Sequence, residues 1–431
     1  MKKCVLGDVA DVKVSGVDKK TNEGEISVRL CNYTDVYYNW AVTSEKYDGL
    51  MRASAKPDEI SKFKIKKGQV ALTKDSETRD DIGIPTYIAD DFDDVLLGYH
   101  CALISPDAKE LSGKYLNALL RTKYVKDFFA NNAGGSGQRY YLSESSIKEL
   151  PLFLPDITVQ RKIGTFLSTI DRKIALNRKR IATLEAMAKE IYDYWFVQFD
   201  FPDAHGRPYK SSGGAMVYNP DLKREIPKGW EMKPLGDAVK ELNSGEWGSD
   251  ACGESSSVQV HCLRGADMED QSHLPVRYIS ERKTDKLLRV GDIVIEMSGG
   301  SPTQATGRSC YVSQGLLDAY NGMLTCTNFC NSLKLKEPDE TSYFFFVWCM
   351  FYRAGLMFNF EGKTSGLKNL QIDSLLTTKW VFPPKELVTK FNKLFLSSTA
   401  QTDNCKKEIS RLSALRDFLL PLLMNGQVKV G

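Results

Sequence analysis

Gln160 to Trp195 reads QRKIGTFLSTIDRKIALNRKRIATLEAMAKEIYDYW, and its spacing decides the fold. Ile163, Leu167, Ile170, Ile174, Asn177, Ile181, Leu184, Ala188, Ile191 and Trp195 follow one another in alternating steps of four and three. At 3.6 residues per turn, that alternation keeps one stripe on one side of a helix for more than four heptads. Asn177 is its one polar member, and Asp156 or Thr158 offers a cap at the start. A helix of roughly 35 residues is about 50 Å long, longer than a 150-residue domain is wide. It can lie on its own domain, as amphipathic helices commonly do, or its far part can pair with another long helix. A partner exists near the C-terminus. Phe391, Phe395, Ser398, Thr402, Cys405, Ile409, Leu412, Arg416, Leu419 and Leu423 keep the same steps with a polar middle.

The two stretches belong to a duplication. Leu6-Gly7-Asp8 recurs as Leu235-Gly236-Asp237, an offset of 229. Lys67-Gly68-Gln69-Val70-Ala71-Leu72 recurs as Val290-Gly291-Asp292-Ile293-Val294-Ile295, an offset of 223. Tyr115-Leu116 with Leu119-Leu120 recurs as Tyr343-Phe344 with Val347-Trp348. Asn131 and Asn359 each precede a Gly/Ser-rich loop, and each loop precedes an apolar segment ending in proline, at Pro155 and at Pro383-Pro384. Matches in the same order at a steady offset indicate an internal repeat. The Lys64–Leu72 stretch alternates around a glycine as a strand–turn–strand does. Phe199 to Gly229 is rich in turn formers and reads as an ordered connector or exposed linker. The expected fold is α+β: two domains of mixed short strands and helices, separated by two long helices that form an antiparallel coiled coil with pseudo-two-fold symmetry. The expected boundaries are domain 1 over 1–156, helix 1 over 157–197, connector over 198–229, domain 2 over 230–385 and helix 2 over 386–425.

Composition narrows the function. The chain has 431 residues with 42% hydrophobic and 26% charged, an ordinary globular balance. Lys plus Arg number 58 against 55 Asp plus Glu, a net charge of +3. That excludes a histone-like chain but permits a local basic face. The ten cysteines are scattered, and the N-terminus Met1 to Asp8 lacks an apolar run, so reduced thiols and a cytoplasmic location are expected. The longest apolar run, Tyr343 to Tyr352, covers about half a bilayer core, so no membrane contact is expected.

No catalytic constellation emerges. His100, His205, His261 and His273 are not spaced as metal ligands, and Cys326 and Cys330 have no second pair nearby, so no metal is expected. A phosphate-binding Gly-x-x-x-x-Gly-Lys-Ser/Thr loop and a dinucleotide fingerprint are both missing. Phe382-Pro383-Pro384-Lys385 has the outline of an amino-methyltransferase signature but lacks its polar first residue and its aromatic. Polar, flexible loops remain as DNA-binding candidates. One is Ser136, Gln138, Arg139 and Tyr140; its repeat counterpart holds Lys363, Thr364, Ser365, Lys368 and Asn369. Another is Lys74 with Ser76, with Ser298 and Ser301 in the second copy. Arg, Gln and Asn form paired hydrogen bonds with guanine and adenine edges, and glycine lets a backbone approach a groove. The helix face carrying Arg161, Lys162, Arg172, Lys173, Arg178, Lys179 and Arg180 against Asp171 is either a solvated face or a phosphate or acidic-partner contact. Two copies of a scaffold with loops of different sequence suit a reader of two different words.

The chain resembles the specificity (S) subunits of type I restriction–modification systems along essentially its whole length. The resemblance is carried by Leu154-Pro155, Gln160 and Ile163 leading into the first helix, and by Ile181, Leu184 and Glu185 within it. Phe199-Asp200-Phe201-Pro202, Gly206, Pro208-Tyr209 and Ile226-Pro227 with Gly229-Trp230 also carry it. The chain departs from the pattern in beginning at Cys4-Val5-Leu6-Gly7-Asp8 and in having Val388 where the first helix has Gln160. The resemblance implies two target-recognition domains, each reading half of a split site in double-stranded DNA, and no catalysis by this chain. It implies docking of two modification (methyltransferase) subunits and of restriction (endonuclease/translocase) subunits. S-adenosylmethionine, ATP and Mg would then belong to those partners, with no cofactor bound here. Two readers on an antiparallel helix pair can address groove segments about one helical turn, roughly 34 Å, apart. The residues also leave open a self-sufficient DNA methyltransferase with fused recognition domains, and a coiled-coil scaffold without a DNA role.

Overall fold

The computed structural model describes residues 2–299, 301, 303–364 and 367–430. Two long helices organise it: α1 (Ile157–Tyr192), continued by a wider, π-helical turn over Asp193–Val197, and α2 (Lys385–Met424). The chain forms two compact units, one of residues 1–176 with 409–431, the other of residues 177–408. Each unit therefore holds one half of each long helix, where a linear reading had given each helix a segment of its own.

In the first unit Ala10–Val14, Cys101–Pro106, Val70–Thr73, Pro85–Ile88 and Ala41–Val42 form one sheet in that order. Met51–Ala55, Ile26–Cys31 and Val95–Leu97 form another. The central strand shows why the run is wholly apolar. Val70 and Leu72 face one hydrophobic core while Ala71 faces a second. A strand sends alternate side chains to opposite faces, so a strand covered on both sides needs no polar alternation. Lys64 makes only an isolated bridge to Leu96, so the expected strand before Gly68 shrinks to a single pairing. Asp156 starts α1, accepting from Thr158 N at 2.8 Å.

The second unit repeats this plan. Glu231–Pro234 pairs with Lys379–Phe382 in the register that joins Lys2–Val5 to Pro151–Leu154, Glu231 opposite Phe382 as Lys2 is opposite Leu154. Val239–Ser244, Cys330–Leu335, Ile293–Glu296 and Ser309–Tyr311 make its larger sheet, and Val276–Ile279, Val258–Leu263 and Leu324–Cys326 its smaller one. Ile293 and Ile295 face one core and Val294 another, as in the first copy. The connector is ordered: Met216–Asn219 and Arg224–Pro227 form a hairpin, and Phe201 stacks between Tyr209 and Trp230.

The helices run antiparallel in each unit. In the first, Arg416 Nη1 lies 3.3 Å from Asp171 Oδ1, and Leu420 and Leu423 share a core with Ile163 and Leu167. In the second, Asn177 Nδ2 donates to Glu408 Oε2 at 2.8 Å, Arg180 Nη2 to Gln401 Oε1 at 2.9 Å and Ser398 Oγ to the Leu184 carbonyl at 3.3 Å. Tyr192 and Trp195 meet Phe391. Partner numbers fall along α2 as they rise along α1. Of the expected seam, Ile163, Leu167, Ile170, Ile174 and Asn177 are buried, and Ile181, Leu184, Ile409, Leu412 and Leu419 half-buried. Two polar members of the α2 side have physical reasons. Arg416 lies over the Trp40 ring as well as beside Asp171. One residue past Thr402, Asp403 accepts from Ser313 Oγ and Gly315 N, both at 2.9 Å. Gln160 is buried because its amide bonds the Glu110 and Pro155 carbonyls and Ser112 N, each at 3.0 Å. Its counterpart Val388 sits in an apolar core.

Candidate nucleic-acid interface

The sequence candidates in the first unit come together in one small sheet. Gly134–Ser136, Arg139–Tyr141 and Asp75–Ser76 pair antiparallel, with Ser136 opposite Arg139 and Tyr140 opposite Ser76. We call this three-stranded element the first tongue. Its turn demands glycine: Gly135 has φ +97°, and a Cβ there would lie 2.2 Å from the Arg139 carbonyl oxygen. Ser136, Gln138 and Arg139 are exposed at its edge, and Tyr140 and Ser76 half-buried.

Asp75 anchors the tongue from below. Its Oδ2 lies 2.9 Å from Lys74 Nζ, 2.7 Å from His100 Nδ1 and 3.7 Å from Arg139 Nη2. Burial alone would push its carboxyl up, but hydrogen bonds from His100 and Lys74 and the charges of Lys74 and Arg139 hold it below the usual carboxylate value. Arg139 Nη2 also lies 2.7 Å from His100 Nδ1. One ring nitrogen cannot donate to Asp75 and accept from Arg139 at once. With Asp75 ionised, Nδ1 carries the proton and the guanidinium is left as a close neighbour of the ring. Lys74 is thus tied down, its side chain 12% exposed and its Nζ 5.1 Å from the Tyr99 ring centre, whereas Arg139 is 57% exposed. Beside the tongue, Arg79 covers the Tyr140 ring at 4.9 Å, and Asp81 accepts from the Tyr37 and Tyr38 hydroxyls.

The second unit builds its own tongue from Glu361–Thr364, Leu367–Leu370 and Ser298–Gly299 in the same order. Ser298 opposes Asn369 and Gly299 opposes Lys368. Ser298 Oγ donates to Asn369 Oδ1. Lys368 Nζ lies 3.0 Å from Glu361 Oε2 and 4.8 Å from the Phe358 ring centre. Glu361 also accepts from Thr306 N at 2.7 Å; these bonds and Lys368 outweigh burial and hold its carboxyl below the ordinary value. Lys363 and Thr364 take part in the hairpin backbone, Ser301 folds back onto Gln304 in an adjoining loop, and Ser365 lies outside the described residues. The basic residues from Arg161 to Arg180 are exposed along α1, where Arg161 donates to the Ala108 carbonyl and Arg180 to Gln401. Among the described residues no three His, Cys, Asp or Glu side chains are grouped to hold a metal, and no helix is long and apolar enough to cross a membrane.

Sequence reasoning missed Asp75, His100 and Tyr99, and Phe329 and Phe358 in the second copy. A signal existed: His100 and Phe329 each precede a repeat-matched cysteine, Cys101 and Cys330.

The family described as the type I restriction modification DNA specificity domain matches residues 1–186. The MjaIX specificity subunit of Methanocaldococcus jannaschii is 28% identical over 322 residues, 74% of this chain and 69% of that one. The chain is similar to the specificity subunits of type I restriction–modification systems. The HindI specificity subunit of Haemophilus influenzae is 24% identical over 418 residues, covering 85% of this chain and 88% of its own. The fold agrees: the S subunit of the type I system from M. genitalium superposes with a TM-score of 0.59 at 16% identity, over 98% of this chain and 95% of that one.

Proposed function

We propose that this chain is the sequence-reading subunit of a type I restriction–modification complex, recognising a bipartite site in double-stranded DNA with one tongue per half-site. The observation that carries the reading is the repetition of one tongue topology with different side chains in each copy. Equal scaffolds let both tongues meet a groove in the same way, and unequal side chains let them read different words. In this reading α1 and α2 fix the separation of the half-sites and leave the bases between unread. The chain has no catalytic centre of its own. Two modification subunits bring S-adenosylmethionine, restriction subunits bring ATP and Mg, and the work is done in the cytoplasm.

The test is to sequence modified adenines in host DNA with and without this gene. A split motif that disappears with the gene supports the reading; an unchanged pattern refutes it. Binding of the assembled complex to its site should fall steeply with salt, with a log–log slope of about −5 for six or so phosphate contacts. A flat salt response would favour a scaffold. Methylation by the isolated chain supplied with S-adenosylmethionine would favour a self-sufficient methyltransferase.

A further inference from the structure

The first tongue is thin at its end and carries a cation on each face. Gly134, Gly135, Ser136 and Gly137 run to its tip with one hydroxymethyl side chain among them. Gln138 N donates to the Ser136 carbonyl at 2.9 Å and Gly137 has φ +73°, so the chain reverses within two residues. Gln138 stands exposed at that reversal. Neighbouring residues of a strand point to opposite faces. Arg139 and Tyr141 therefore share the face of Asp75, and Tyr140 shares the other with Ser76. The Arg139 guanidinium is drawn back along its face, with Nη2 3.7 Å from Asp75 Oδ2. On the opposite face Arg79 lies exposed over the Tyr140 ring at 4.9 Å. Glu77, Asp80 and Asp81 are its neighbours in sequence, yet Arg79 forms no ion pair among the described residues. Asp81 is taken up by the Tyr37 and Tyr38 hydroxyls. One guanidinium is thus presented on each face, behind a tip whose longest side chain is an amide.

We propose that the first tongue enters the DNA groove tip first: Gln138 reads an adenine, while Arg79 and Arg139 contact phosphates on the two opposite strands. This deepens the DNA-reading function proposed above and rests on it. The major groove is about 12 Å wide and admits a two-stranded ribbon; base edges form its floor and a phosphate backbone each wall. A strand almost without side chains keeps the ribbon thin between its faces. A ribbon entering tip first turns those faces to the walls. The residue at the turn then meets base edges, and cations set back on the faces meet phosphates, which position the protein and carry no sequence information. The Gln138 carboxamide offers the donor and the acceptor that adenine N7 and N6 require. A guanidinium laid on an aromatic ring keeps its N–H donors directed outward from its rim. Asp75 beneath Arg139 and Tyr140 beneath Arg79 are positioning residues for the two cations.

The experiment uses the complex assembled from this chain and its modification subunits. A randomised duplex library is methylated and the modified sites are sequenced; binding to the mapped site is then measured across a salt series. Gln138→Ala should cost one A·T position of one half-site its preference, roughly ten- to hundredfold, with the other half unchanged. Gln138→Glu keeps the size but offers acceptors only, and should lose the adenine at the same position. Arg79→Ala and Arg139→Ala should weaken binding to all sequences alike, each reducing the log–log salt slope by about 1 with the motif intact. If either fails to assemble, the lysine variant at that position keeps the charge without the planar fork, and an intact motif with an undiminished slope is required of it. Relaxation of a base position by any of these arginine substitutions would overturn the inference. So would an unchanged salt slope in either alanine variant. A wild-type complex that yields no split motif would refute the DNA-reading function itself, whereas a split motif indifferent to both Gln138 substitutions refutes only the inference drawn here.

Discussion

Gly164→Ala puts the packing of α1 to a quantitative test, because two effects of known sign oppose each other there. In an exposed helix the change stabilises by about 1 kcal/mol, since alanine lacks the backbone entropy cost of glycine. At Gly164 a Cβ would lie 2.7 Å from Tyr115 N, 2.9 Å from Lys114 Cβ and 3.0 Å from Lys114 C. Two of those neighbours are backbone atoms at the start of the Gly113–Leu119 helix, which sits on Pro85–Ile88. They cannot turn aside as the end of a flexible side chain can. Overpacking of that kind costs about 1–3 kcal/mol, and more where the backbone must move. The net expectation is a loss of up to about 2 kcal/mol after the propensity gain is subtracted. For a unit of this size that lowers the apparent Tm by up to roughly 8 °C. The assay is thermal unfolding of the full chain, followed by circular dichroism. Leu176→Ala is the control, since Leu176 is 56% exposed on the same helix, and a substitution there should stay within about 0.5 kcal/mol. A Tm for Gly164→Ala raised by a few degrees would show that α1 does not press on that helix, and the argument for the Gly164 contact would be wrong.

Two further outcomes are expected. Asp75 has a depressed carboxyl value, so its stabilisation is present above the ordinary value near 4 and lost as pH falls through the lower, folded-state value. Wild type and Asp75→Asn should therefore differ in hydrogen-exchange protection of Arg139–Tyr141 by about 1 kcal/mol from pH 8 to pH 5. They should converge only in acid; a gap that closes near neutral pH would point to another group. Inserting four residues after Asn177 should lengthen the unread spacer in the mapped methylation motif and leave both half-site sequences as they were. Altered half-sites would reject the helices as the spacing element.

Much of this architecture was legible in the residues. The four–three alternation from Ile163 to Trp195 fixed the helix and the face it buries, because side-chain direction on a helix follows from 3.6 residues per turn alone. The repeat offsets placed equivalent strands correctly, since Val70–Leu72 and Ile293–Ile295 face the same burial demand on both sides. The polar loops at Lys74–Ser76 and Ser136–Tyr140 were marked as candidates by composition, which reports flexibility and hydrogen-bonding capacity.

Tertiary structure alone decided the rest. The two loops lie more than 60 residues apart, and only strand pairing joins them into one tongue. Which cation is presented depends on where an acid falls in space: beneath Arg139 at 3.7 Å, but directly on Lys368 at 3.0 Å. Arg416 interrupts the apolar α2 seam, and only the fold shows Asp171 and the Trp40 ring against it. Local periodicity is set by the geometry of one chain segment and is readable in order. Charge pairing is set by distances between segments remote in sequence, and those exist only once the chain has folded.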